Sequence, residues 1–447
     1  MSKTIKIKKG LDIKLKGKAE QSVVADHDVT LFGILPSDFP GLIPKLTVKT
    51  DDTVKAGTPL FHDKYQPEVT ITSPVSGKIV AVNRGERRRI LDIAIESDGK
   101  FESETFEPGD IKSLSRETIR QTLLQSGLWA YIVQRPFGVI AKASDTPRDI
   151  FISGFDSSPL APDTNFTLAG ELKNFQCGID VLSKMTDGKV YLGLKKDSIL
   201  SQITGAEINY FEGPHPSGNA GIQMHHIKPL NKGEIVWTLD PQSVVFIGRL
   251  FTSGKVNLEK IIAFAGSEVK NPCYIKTHSG ASVKQLADGK TYKNKTERTI
   301  SGNVLTGSNT HNNGFLGFYH NQVTVIPEGN EIEPFGWITP GLNKFSASAT
   351  FFSKLFSKKE YTLNANFHGG ERAFVMSDQY GKVLPMDVLP VYLIKAIMDN
   401  DIDKMEQLGI YEVIEEDLAL CEYVCTSKIE VQDVLRKGIT SMIKELG

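Results

Sequence analysis

The sequence predicts a multidomain chain that combines β and α/β units and ends in helices. Three observations carry this fold class. The chain has 447 residues, and one hydrophobic core rarely grows past about 250–300 residues. Residues 1 to about 110 form short runs rich in β-branched side chains between Gly, Pro and Asp turns, whereas residues 130–250 alternate strand-like and helix-like segments. From Val388 onward the apolar residues recur at helical spacing.

The units follow in order. The first, residues 1–110, carries strand candidates at 45–49, 69–72 and 90–95, and its N-terminal lysines fall on the solvent face of a strand. The second, 111–255, opens with a helix at 115–127 that has Ser115 as N-cap and Ile119, Leu123 and Leu124 on one face. A strand at 149–153, a helix at 166–182 and strands at 189–194 and 243–249 complete it. The third, 256–327, has short strands, Gly-rich turns and a helix near 282–287. The last, 328–447, is loop-rich to about residue 383. Two or three amphipathic helices follow, and the final one is expected to bury Val434, Leu435, Ile439 and Ile443.

Composition narrows the function classes. Lys plus Arg number 52 against 53 for Asp plus Glu, a net charge of −1. That balance offers no field for nucleic acid, and no nucleic-acid partner is expected. Four cysteines, Cys177, Cys273, Cys421 and Cys425, are too sparse for a disulfide framework and fit a reducing compartment. The N-terminus alternates Ile and Lys and lacks the apolar core of a signal peptide. The apolar run 388–398 is broken by Lys395, and a membrane span needs roughly 20 apolar residues. A cytoplasmic chain without a transmembrane segment is expected.

Candidate chemistry is thin. The five residues Gly213, His215, Gly218, Asn219 and Gly221 form a Gly-rich ligand-binding candidate, set against a plain structural loop ordered by Pro214 and Pro216. Arg84, Arg87, Arg88 and Arg89 form a partner-contact candidate, since arginine suits bidentate anion contacts. His225 and His226, read as strand residues, would point to opposite faces, and no metal site is expected. Cys421 and Cys425 supply two of the four ligands a four-iron cluster needs, while their spacing lets both pack on one helix face. No pattern assigns a catalytic residue.

Val48, Val54, Gly57 and Leu60, followed by Ser73, Pro74, Gly77 and Ile79, resemble the biotinyl/lipoyl carrier fold, a flattened barrel-sandwich. The carrier lysine belongs midway between Leu60 and Pro74. Gln66-Pro67 stands there, and Lys64 comes too early. A scaffold barrel is expected rather than a carrier. Residues 124–128, 129–138 and 150–159 resemble the flavoprotein of respiratory complex I and the related C-type component of Rnf complexes. There a glycine-rich loop cradles phosphate. Between Leu128 and Val139 only Gly138 remains, with Trp129, Tyr131 and Pro136 where glycines belong, so the Rossmann-like frame has lost its nucleotide cradle.

Across nearly the whole chain, the segments 5–12, 83–88, 213–219, 231–237, 368–375 and 416–425 resemble the NqrA component of the sodium-translocating NADH:quinone oxidoreductases. The resemblance implies a peripheral protein on the cytoplasmic face of the bacterial inner membrane, with five partner subunits, some of them integral to the membrane. It implies no tightly bound flavin or iron–sulfur cluster here, quinone as a substrate, and NADH used through another component. It also implies an SLBB β-grasp domain at 256–327 containing residues 278–281. Residues 346–350 resemble a flavin-attachment site with its Gly replaced, which argues against flavinylation of Thr350. The competing readings are a stand-alone NADH- or flavin-dependent oxidoreductase, a scaffold with no ligand role, and a carrier modified at Lys64.

Overall fold

The runs Asp149–Ser153 and Val190–Leu194 are buried almost throughout, as strands covered by helices on both faces must be. They pair in parallel, with Ile150 opposite Val190. The computed structural model describes residues 3–446 except 26–27, 108, 293–295, 311–313, 330–334, 337, 339, 349, 356–358 and 367. The two runs sit within a seven-stranded sheet ordered Lys3–Lys6, Glu207–Glu212, Val190–Leu194, Asp149–Ser153, Val236–Leu239, Val133–Arg135, Val139–Ile140. The first five strands are parallel and the last two form an antiparallel hairpin. Strand order reverses between Asp149–Ser153 and Val236–Leu239, which lie side by side although two strands separate them in sequence.

Helices Leu172–Ser183 and Pro241–Ser253 pack against each other at backbone distance. A methyl on Gly248 would fall 1.7 Å from the Asn174 carbonyl oxygen, and one on Gly178 would fall 2.3 Å from that of Val244. Residues 243–249, expected as a strand, belong to the second of these helices. Asp240 caps it by accepting from the Gln242 and Ser243 amides, and Pro241 takes the first turn. The helix is buried on nearly every side, so its Val-Val-Phe-Ile run shows no polar face and reads like a strand. The expected helix at 166–182 is two helices, Thr164–Thr167 and Leu172–Ser183, separated at Leu168–Glu171 around Gly170. His225 and His226 lie on the helix Ala220–Ile227, not on a strand.

The first unit has a four-stranded and a three-stranded sheet. Leu60, Phe61, Ile71, Ile79, Ile93 and Ile95 are fully buried in its core. Two N-terminal strands leave it. Lys3–Lys6 buries Ile5 with its lysines exposed and extends the seven-stranded sheet, while Val23–Ala25 pairs with Cys273–His278. The third unit wraps Glu259–Ala265, Cys273–His278, Glu297–Ser301 and Gln322–Pro327 around the short helix Val283–Ala287, which Ser282 caps. Beyond Val388 four α-helices follow among the described residues, more than the two or three expected. The last, Val431–Leu446, buries Val431, Leu435, Gly438, Ile439 and Met442. Among the described residues no helix is long and apolar enough to cross a membrane.

Candidate functional site

Ligands in open parallel sheets bind beyond the carboxyl ends of the strands, where strand order reverses. A cavity of about 460 Å³ lies at that place, lined by Ser153, Phe155 and Asp156 after one strand and by Leu239 and Asp240 after its neighbour. Every unit contributes to its wall. Asp38 comes from the first, Tyr131 and Ser158 from the second, His320 and Gln322 from the third, and Glu415 and Arg436 from the C-terminal helices. A smaller recess lined by Asp38, His320, Glu415 and Arg436 adjoins it through these shared residues.

The segment that would cradle phosphate is solid protein. Leu128–Tyr131 forms a short 3-10 turn whose four side chains are buried. Trp129 meets Trp237 edge to face and donates its indole N–H to the Ala141 carbonyl at 2.7 Å. Two helix starts face the cavity, and an acid of this chain caps the first of them. Asp240 caps Pro241–Ser253. At Ala220–Ile227 the Asn219 side-chain amide donates to the Glu416 carbonyl, and a methyl on Gly221 would fall 2.5 Å from both the Arg135 guanidinium and the Asp417 carboxylate. Helix starts bind anions through free amides and a positive dipole end. The Asp240 carboxylate already takes the free amides of Pro241–Ser253.

The Asp417 carboxylate beside Gly221 belongs to a buried ion cluster. Arg135 donates to Asp417 at 2.5 Å and to Glu416 at 2.6 Å, and Asp417 also accepts the Ile414 amide at 3.0 Å. The Arg135 and Asp417 side chains are almost wholly buried, whereas Glu416 reaches solvent. This cluster ties the helix Glu415–Tyr423 to the sheet.

Elsewhere burial shifts the titratable groups on and behind the wall. Burial pushes the Asp38 carboxyl up to about 6, against the Phe318 amide that donates to it and the ammonium of Lys260. Burial lowers Lys260 to about 8, partly restored by Asp240 and Asp38. Burial, with Lys260 nearby, lowers His320 to about 4. His215 is also held below its usual value by burial. Two buried oxygens on the wall lack any hydrogen-bond partner, Ser158 Oγ and Gln322 Oε1. One is able to donate and the other only to accept.

The five Gly-rich candidates divide. His215, Gly218 and Asn219 line the cavity. Gly213 has φ +136°, and a side chain there would meet the Ile7 carbonyl oxygen at 2.2 Å, so it serves the junction with the N-terminal strand. Gly221 gives room to the ion cluster. Arg84, Arg87, Arg88 and Arg89 sit exposed at the tip of the hairpin between Gly77–Arg84 and Ile90–Ser97, away from the cavity, with Arg87 and Arg88 at positive φ. Lys64 is exposed after the strand Pro59–Asp63. His225 accepts the Asp387 amide on Nε2, which leaves Nδ1–H to donate to Glu412 at 2.8 Å. Cys421 and Cys425 are buried, and no group of metal-ligating residues occurs among the described residues. Sequence patterns missed Asp38, Tyr131, Gln322 and Arg436, which only the packing of separate units brings together.

Three family models match in series. The N-terminal barrel-sandwich hybrid domain of NqrA matches residues 5–98, its second alpha/beta domain 114–256, and the NQRA C-terminal domain of SLBB type 261–312. Among curated relatives, the NqrA protein of the Na(+)-translocating NADH-quinone reductase of Yersinia pseudotuberculosis is 40% identical, across 99% of this chain and 100% of that protein. Those of Neisseria meningitidis and Vibrio atlanticus are 38% and 36% identical, with the same coverage. With full-length identity at this level and all three domain models in sequence, the chain belongs to the NqrA family of the Na(+)-translocating NADH-quinone reductases.

Proposed function

We propose that this chain is the peripheral, cytoplasmic-side component of its reductase, and that the switch-point cavity receives the headgroup of quinone without any flavin or cluster held by the chain itself. The observation that carries the reading is that two buried oxygens without a hydrogen-bond partner, Ser158 Oγ and Gln322 Oε1, line the cavity, while Asp240 takes the amides at the start of Pro241–Ser253. That electrostatics disfavours phosphate and tolerates a neutral ring. A quinone has two carbonyl oxygens that accept, and its reduced form has two hydroxyls that donate. Ser158 Oγ suits the first and Gln322 Oε1 the second. Phe155, Leu239 and Ile140 give the wall an apolar share. Electrons and NADH enter through partner subunits, including those in the membrane.

The test is titration of the purified full chain with a short-tail quinone while following tryptophan fluorescence. Trp129 and Trp237 stand two and one residues from the wall residues Tyr131 and Thr238. Saturable binding in the micromolar range, weakened by Ser158→Ala and Gln322→Leu, is expected. No quinone binding, or saturable binding of flavin mononucleotide or NADH instead, overturns the reading.

A further inference from the structure

Segment 334–359 combines two properties. It has six aromatic residues and four lysines, and no Asp or Glu, within a protein of net charge −1. It also holds four of the five most exposed large apolar side chains among the described residues, namely Leu355 at 79%, Phe335 at 73%, Ile338 at 62% and Phe352 at 60%. Leu342 beside them is also exposed. Contiguous exposed apolar groups mark contact surfaces.

The segment is tied to the fold at its base. Phe345 packs edge-on against Tyr361 and tilted against Tyr423. The Tyr361 backbone exchanges hydrogen bonds with Lys14 and Lys16. The Ser353 hydroxyl donates to the Lys344 carbonyl, and the Phe352 amide to that of Pro340. Lys344 donates to the Gly336 carbonyl and Lys359 to that of Leu342, which keeps two cations beside the apolar tips.

We infer that this segment is a membrane-surface contact that seats its exposed apolar side chains among anionic lipid headgroups. The inference rests on the peripheral, cytoplasmic-side placement proposed above. Exposed apolar and aromatic side chains in one acid-free segment with lysines match the interfacial zone, where rings sit at headgroup level and each cation is drawn to anionic lipid. A protein partner fits less well. Cytoplasmic loops of membrane proteins carry an excess of Lys and Arg, which repels a segment without a single acid.

The experiment is co-sedimentation of the full chain with vesicles of phosphatidylcholine alone or with added phosphatidylglycerol, at low and high salt. The test variant carries Phe335→Ser and Leu355→Ser. Both side chains are exposed, so the fold does not depend on them, and an unchanged thermal midpoint checks this. Expected is binding to the anionic vesicles only, release by salt, and about tenfold or greater weakening in the variant. No sedimentation with anionic vesicles, or equal binding of the variant, overturns the inference. So does a variant that binds vesicles normally yet no longer co-purifies with the other subunits, because that assigns the patch to a protein. Failure of the underlying placement shows separately, as a wild-type chain that does not co-purify with the membrane subunits at all.

Discussion

Replacing Asp417 by alanine tests what holds the C-terminal helices to the sheet. The carboxylate has no exposed side-chain surface and receives the Arg135 guanidinium, whose own side chain is 1% exposed. Removing it leaves a buried cation whose other acidic partner, Glu416, is 40% exposed and free to turn toward water. Breaking a buried pair from one side costs about 3–5 kcal/mol. Loss of the Ile414 amide partner at the start of Glu415–Tyr423 adds about 1 kcal/mol. Hydrogen exchange of amides in Glu415–Tyr423 and Val431–Leu446 reads this local opening directly. At about 1.4 kcal/mol per decade, protection there is expected to fall by roughly three to four orders of magnitude, with the first unit unchanged. Arg135→Met combined with Asp417→Leu replaces the pair by apolar groups and should recover most of the loss, since such replacement is often neutral. A fall of less than about tenfold in the single variant, or no recovery in the double, would refute the assignment of this cluster as the clamp.

Two further outcomes concern the same region. Gly221→Ala places a methyl 2.5 Å from Arg135 and Asp417, neither of which has room to move, so it should destabilise by about 1–3 kcal/mol and lower the thermal midpoint by a few degrees. Asp38 ionises less readily folded than unfolded, with its pKa raised from 3.8 to about 6. Its stabilising contribution is therefore complete below about pH 4 and is lost as pH rises through 6, a difference of roughly 3 kcal/mol. Asp38→Asn should flatten that part of the denaturation profile, and a pH-independent gap between variant and wild type would contradict it.

The sequence was legible where a structural rule is local. Ser115 caps its helix as expected, accepting the Thr118 amide. The last helix buries Leu435 and Ile439 from an amphipathic pattern. Between Leu128 and Gly138 the sequence has bulky residues where glycines belong, and the structure buries Trp129 and Tyr131 there. Rules that depend on surroundings were not legible. The helix Pro241–Ser253 is apolar on almost every face, which erases the period that distinguishes helix from strand. The strand Lys3–Lys6 joins a sheet through Glu207–Glu212, a neighbour far along the chain. Asp38 reaches Phe318 across 280 positions and Arg135 reaches Asp417 across 282. No spacing pattern records contacts of that range.

The ion cluster also links architecture to chemistry. A doubly wound sheet presents helix starts at its switch point, and these attract anions unless something neutralises them. Here Asp240 neutralises one start within its own helix. The other is touched by the C-terminal helices, since the Asn219 side-chain amide donates to the Glu416 backbone carbonyl and the Arg135-paired Asp417 lies beside Gly221. Replacing residues 129–138 by glycines alone should not create a nucleotide site, because Asp240 would still occupy the amides of Pro241–Ser253. The Arg135–Asp417 cluster at the second start serves instead as the joint that holds Glu415–Tyr423 where it closes the cavity wall with Glu415 and Arg436.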